Sequence, residues 1–190
     1  MTDLIKILKD LHQDTYIKAD NIPSLALYMD QVTQLFEQTY HNSKRQPDEK
    51  ILTKTMINNY AKGKLLPTIK NKKYTEAHIM LIQWIYQLKG ALSIQDISHV
   101  LQLVTTIEER GEDLASIYQT YSALMDMQSS DFVKSLEQQT ASIQGQLPNQ
   151  DEQLETFLMI VSLIHYSNMY RKMAERLIDQ TNVKQDSADH

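Results

Sequence analysis

Leu4, Ile7, Leu8 and Leu11 stand at i, i+3, i+4 and i+7, so the pattern predicts a short amphipathic helix over Asp3–Leu11. Pro23 suits the first position of a second helix, whose stripe of Leu27, Val32, Leu35 and Phe36 runs to about Tyr40. The polar stretch His41–Asp48 reads as a loop. A short third helix begins near Thr53, a residue whose hydroxyl can accept from a free backbone N–H, and ends before Gly63, which tolerates a left-handed cap. Met56, Ile57 and Tyr60 form its inward side.

Pro67 follows, and Thr68–Lys73 has too little apolar material for a helix. Asn71 at its centre fits a tight turn, so a two-stranded wing is expected there. Thr75 caps the next helix, which carries Ile79, Ile82, Ile85, Tyr86 and Leu88 to Lys89 and stops at Gly90; Trp84 falls in its apolar pattern and is expected in the core. Ser93 and Asp96 have capping-box spacing and open a helix through Ile97, Val100 and Leu101. Three further helical patterns follow: Leu114–Met125, Phe132 to about Ile143, and Leu154–Leu177, the last set off by Pro148 and Asn149. The tail Thr181–His190 is polar and expected to fray.

Four glycines and four prolines in 190 residues leave little turn chemistry, and with 42% hydrophobic residues the chain reads as globular and all-α. The absence of cysteine removes disulfides, thiolate metal sites and cysteine nucleophiles, and suits a reducing compartment. The N-terminal stretch is charged throughout and lacks the apolar core of an export signal. Phe157–Tyr166 is about half the roughly 20 residues that span a bilayer. A cytoplasmic protein without a membrane segment is expected.

Charge alters this picture by its distribution. The net charge of −5 argues against a general nucleic-acid binder. Yet residues 44–73 carry nine basic side chains against two acidic ones, a local +7 that leaves −12 on the other 160 residues. From Thr105 onward there are six basic and fourteen acidic residues, so that half is not expected to face phosphates. The basic stretch contains the short helix and the wing. Phosphates attract lysine without regard to sequence, whereas an amide such as Asn58 or Asn59 can pair with adenine N6 and N7 in the major groove.

Thr55-Met-Ile-Asn-Asn-Tyr60, Lys64-Leu-Leu-Pro67, Lys72-Lys-Tyr74 and Gly90-Ala-Leu-Ser-Ile-Gln-Asp-Ile97 follow one another in an order that resembles the DNA-binding domain of MerR-type regulators. In that family a T-I-R-Y-Y recognition helix leads through G-L-L-x-P to a wing ending R-x-Y, then a helix and G-f-s-L-x-E-I. The chain also resembles a group of Gram-positive bacterial proteins carrying a variant of this domain. The resemblance covers about residues 20–105. Asn58 stands at the family's arginine, Asn59 at its first tyrosine and Lys64 at a glycine; one residue is missing before Pro67, and the wing is shorter. Base preference should differ accordingly. The resemblance implies that Tyr60, Lys70, Lys72 and Lys73 hold phosphates while the exposed face of the Thr53–Lys62 helix reads bases.

The expected fold is thus a winged helix-turn-helix, MerR-like, with a short two-stranded wing and a C-terminal helical extension. The expected parts are an N-terminal helix (1–19), a DNA-binding domain (20–105), a helical dimerisation or effector region (106–180) and a flexible tail (181–190). The candidate contacts to double-stranded DNA are Thr53, Lys54, Thr55, Asn58, Asn59, Tyr60, Lys62, Lys64, Lys70, Asn71, Lys72 and Lys73. Tyr60 and Tyr74 also fit as core tyrosines. A homodimer reading two half-sites is expected, and a small-molecule effector is open. The six histidines pair neither with one another nor with an acidic cluster at i,i+4, and no glycine-rich phosphate loop, GxSxG elbow or HExxH helix is present. Neither a metal, a cofactor nor an enzymatic activity is expected. The methionines from Met80 to Met173 fit core filling or an adaptable interface. The rival reading is a helical protein–protein interaction module, an adaptor or anti-regulator that keeps the fold without binding DNA.

Overall fold

The computed structural model describes residue 7, residues 15–147 and residues 151–188, with no side chain described beyond 181. The expected helix over Asp3–Leu11 lies outside the described residues except for Ile7, which is helical; the break at Pro148–Asn149 lies outside them too. The chain is mostly helical. Its helices are α1 (Met29–Tyr40), α2 (Lys54–Lys62), α3 (Glu76–Leu88), α4 (Ile94–Glu109), α5 (Leu114–Gln146) and α6 (Glu152–Ala188). Two short strands, β1 (Leu27–Tyr28) and β2 (Lys73–Tyr74), pair antiparallel with Leu27 opposite Tyr74 and Tyr28 opposite Lys73. Among the described residues no helix is long and apolar enough to cross a membrane.

The chain divides into two compact units, His12–Leu124 and a second made of Met1–Leu11 with Met125–His190. The first is built around α3. Eight successive residues of this helix, His78 to Ile85, are buried. A helix that is apolar nearly all round satisfies its surface only when surrounded. β2 and α4 both contact it, and the core continues through Phe36 and Tyr40 of α1, Ile57 and Tyr60 of α2, Ile97 of α4 and Tyr118 of α5.

The segment before α1 has no regular structure beyond a 3-10 turn at Ala19–Asn21, yet Tyr16 and Ile17 are buried. Distant side chains take up its backbone groups. The Tyr118 hydroxyl donates to Ile17 O at 2.5 Å, and Ile17 N–H donates to Gln83 Oε1 at 3.4 Å. Ala19 N–H donates to Ser122 Oγ at 3.2 Å, while the Tyr16 hydroxyl donates to Ser122 O at 2.9 Å. Gln83 is fully buried and donates through Nε2 to the Tyr40 hydroxyl at 2.5 Å. Each of these bonds satisfies a buried polar group that would otherwise cost about 1–3 kcal/mol. The segment before residue 20 and the start of α5 therefore join the core built by residues 20–105.

Several local expectations change. Pro23 does not open a helix: α1 starts at Met29 after Tyr28, because Leu27 and Tyr28 are drawn into strand pairing with β2. The two patterns Leu114–Met125 and Phe132–Ile143 form one 33-residue helix, α5, since the Ser, Gln and Asp residues between them dilute the apolar stripe without breaking the backbone. The turn that separates α4 from α5 is at Gly111, with φ 99°. Helix α6 runs past Thr181 to Ala188, in a stretch from Glu152 that contains neither Gly nor Pro.

Within the second unit, Leu136 and Met159 are buried, and Gln144 Nε2 donates to Glu155 Oε1 at 2.8 Å. By contrast α6 leaves Phe157, Ile160, Val161, Ile164, Met169, Tyr170, Met173 and Leu177 half or more exposed.

Candidate nucleic-acid interface

α2 forms where the sequence signals it. Thr53 accepts from Met56 N–H at 3.2 Å, and the helix closes at Lys62. Ile57 and Tyr60 face the core and Met56 is half-buried, which leaves Lys54, Thr55, Asn58, Asn59 and Lys62 exposed. Thr55, Asn58, Asn59 and Lys62 stand at i, i+3, i+4 and i+7, so they form one stripe on the open side of the helix. Among the described residues neither asparagine amide has a side-chain hydrogen bond, and no acidic residue lies in the stripe.

The end of α2 differs from expectation in one position. Gly63 has φ −73°, and the left-handed residue is Lys64, with φ 58°. Glycine at 63 answers a different demand, since a Cβ there would lie 3.2 Å from Asn59 O. The turn is closed by Gly63 N–H to Asn59 O at 2.9 Å and Leu65 N–H to Tyr60 O at 3.0 Å. Leu65 and Leu66, both buried, then anchor the chain before Pro67.

The segment 68–74 reverses at Asn71 and Lys72, with φ 53° and 57°, and Lys73 N–H donates to Lys70 O at 3.0 Å. Positive φ at both central residues is the signature of a type I′ turn, whose twist suits paired strands. Lys70 and Lys73 form a single bridge, and beyond it β2 pairs with β1 rather than with the segment before the turn. Lys70, Asn71, Lys72 and Lys73 are all exposed.

His78 holds the base of this excursion. Its Nδ1 accepts from Thr75 N–H at 3.1 Å, and its Nε2 lies 3.3 Å from Pro67 O, so one imidazole ties both ends of residues 67–75. Tyr74 packs edge-on to it at 5.7 Å. Burial holds the His78 pKa below its ordinary value, consistent with a neutral ring that accepts at Nδ1 and donates at Nε2.

The start of α1 joins the turn to α2. Lys73 Nζ lies 5.4 Å from the Tyr28 ring centroid, and two residues later Asp30 forms an ion pair with Lys54. Charge counting along the sequence finds neither Tyr28 nor Asp30. Lys44 also leaves the basic set: it pairs with Glu37 in a position where its side chain is 12% exposed, and this contact holds the Glu37 carboxyl below the usual range. Lys62, Lys64, Lys70 and Lys72 have no ion pair among the described residues.

Of the twelve candidate residues, Lys54, Thr55, Asn58, Asn59, Lys62, Lys64, Lys70, Asn71, Lys72 and Lys73 are exposed on α2, the turn after it and the hairpin. Thr53 is half-buried as a cap. Tyr60 is a core residue, 6% exposed, whose hydroxyl pKa is raised by burial. Its apolar ring is what seats α2. Tyr74 is likewise buried.

Among the described residues there is no group of three or more His, Asp or Glu side chains placed to hold a metal ion. No curated protein and no solved structure matches the chain. The sequence profile of one protein family matches residues 17–123, and that family is described as a domain of unknown function, DUF1836.

Proposed function

The chain belongs to the DUF1836 family, and we propose that it is a sequence-specific DNA-binding transcriptional regulator in which α2 reads the major groove and the 68–74 hairpin contacts phosphates or the minor groove. The observation that carries this reading is the convergence at the start of α1. Lys54 of α2 and Lys73 of the hairpin both flank it, so two basic elements from different parts of the sequence are brought together. Phosphate contacts fix register on a duplex, and polar side chains on an exposed helix face supply base contacts. Both kinds are present on adjoining elements.

In this reading α1, α2 and the hairpin form a winged helix-turn-helix similar to the MerR type. The left-handed Lys64 supports that likeness, because it stands where the resembled pattern has glycine, the residue that takes positive φ most readily. A nine-residue recognition helix spans few base pairs, so the reading includes a homodimer on two half-sites about one helical turn apart. The exposed apolar residues of α6 support it. Ten of them, from Leu154 to Leu177, are each 41–75% exposed. They fall on two opposite sides of the helix, each side on the order of 500 Å², a size at which an exposed apolar patch is often functional though below the ~800 Å² per partner of a standard interface.

The test is binding of the full-length protein to duplex fragments from upstream of its own gene as salt is raised. Affinity should fall with a log–log slope of about −0.9 for each phosphate engaged. Replacing Lys72 and Lys73 together by Ala should flatten the slope by about 2 per protomer. A protein that retains no duplex even at low salt would end this reading in favour of the interaction module.

A further inference from the structure

We infer that the α2 stripe is built to read adjacent adenines, so that each half-site contains two neighbouring A·T pairs contacted by Asn58 and Asn59. This rests on the reading of α2 as the element that enters the major groove. Four exposed side chains share the stripe, and their chemistry is restricted. Thr55 offers a methyl and a hydroxyl, Lys62 only donors, and the two amides each a donor and an acceptor side by side.

In the major groove, adenine alone presents an acceptor, N7, beside a donor, N6, in the spacing that one amide matches with two hydrogen bonds. Guanine presents two acceptors, which suit Arg or Lys, and cytosine presents a donor, which suits a carboxylate. The stripe has no carboxylate. Its one basic member, Lys62, stands at the end of the helix. Lys54, at the other end, is already held by Asp30.

Asn58 and Asn59 are free to make such bonds, since neither amide has a side-chain hydrogen-bond partner among the described residues. They are also adjacent, separated by about 100° around the helix and 1.5 Å along it. Two amides so placed diverge from one another and reach neighbouring base pairs rather than the same one. The Thr55 methyl, one turn earlier, suits the C5-methyl of a thymine. Asparagine is a poor residue for a helix interior, less favourable than Ala by up to about 0.7 kcal/mol, so neither position is explained by helix formation.

The experiment is selection of duplexes from a randomised pool by the full-length protein, followed by affinity measurements on single-base variants. Two neighbouring A·T pairs should be enriched in each half-site, and replacing either should weaken binding roughly 5- to 150-fold. Asn58→Ala and Asn59→Ala, checked for native helix content, should each relax the preference at one position while leaving the salt slope unchanged. Asn58→Arg should move its position toward G·C. Duplex binding with no adenine preference, or with preferences that survive both alanine variants, overturns the inference and leaves DNA reading intact. Failure to bind any duplex overturns both.

Discussion

Asp30, the second residue of α1, forms an ion pair with Lys54, the first residue of α2. Both side chains are well exposed, 76% and 60%, so the pair adds little to stability, within about 0–1 kcal/mol. Its consequence lies at the surface, where a carboxylate sits among lysines that would face phosphates. Asp30→Asn should leave the thermal midpoint nearly unchanged while tightening duplex binding several-fold at low salt. The salt slope should steepen by about 0.9 as Lys54 becomes available. Fluorescence anisotropy over a salt series measures both quantities, and an unaltered slope would show that Lys54 does not meet a phosphate.

The elements legible in the sequence are those whose signals are local. Thr53 and Gly63 bound α2, Thr75 and Gly90 bound α3, and Asn71 marks the hairpin turn. The elements that were not legible depend on partners far along the chain. Tyr16 and Ile17 are held by Ser122 and Tyr118, 106 and 101 residues away, and no periodicity announces such a contact. β1 is two residues long and exists because β2 offers a partner. In the candidate site, exposure followed the helical period at Asn58, Asn59 and Lys62, whereas Asp30 and Glu37 become visible as neutralising partners only once α1 is folded.

The hairpin turn carries a non-glycine residue in a costly conformation. Lys72 has φ 57°, and left-handed backbone costs an ordinary L-residue roughly 1–2 kcal/mol. Asn71 tolerates it better. Lys72→Gly creates the Asn-Gly pair preferred in type I′ turns and should stabilise the protein by about 0.5–1 kcal/mol in urea denaturation. The same change removes a cation, so duplex affinity should fall as stability rises. A loss of stability would mean that the turn is not held with positive φ at 72.

His78 gives the fold a pH dependence whose sign follows from its burial. Its pKa is lowered relative to the unfolded chain, where it is about 6.5. Between the two values the unfolded state binds more protons, so stability is complete above about pH 6.5 and declines as pH falls through that window toward the folded value. Protonation also places a hydrogen on Nδ1, which can no longer accept from Thr75 N–H. Glu37 has a lowered pKa as well, but its contribution is lost only below its ordinary value of 4.5. The urea midpoint should therefore be lower at about pH 5 than at pH 7.5. His78→Gln retains an acceptor at the third helical position and should remove most of that difference. An equal pH dependence in the variant would assign it elsewhere.

The α6 surface yields the remaining prediction. Phe157, Ile160, Val161 and Ile164 lie on one side of the helix, while Met169, Tyr170, Met173 and Leu177 lie nearly opposite, by the 100° rotation per residue. A second copy covering either patch would take apolar surface out of water, so substitutions can tell which one it covers. Ile160→Lys with Ile164→Lys tests the first patch, and Tyr170→Glu with Met173→Glu the second. Sedimentation equilibrium at micromolar concentration should show a dimer for the unaltered chain and a monomer for one of the two variants. The monomeric variant should bind a two-half-site duplex at least about 100-fold more weakly, since simultaneous engagement of both half-sites is lost. Its affinity for a single half-site should be unchanged, because α2 and the hairpin lie in the other unit. An unaltered chain that sediments as a monomer would remove the dimer from the proposed mechanism.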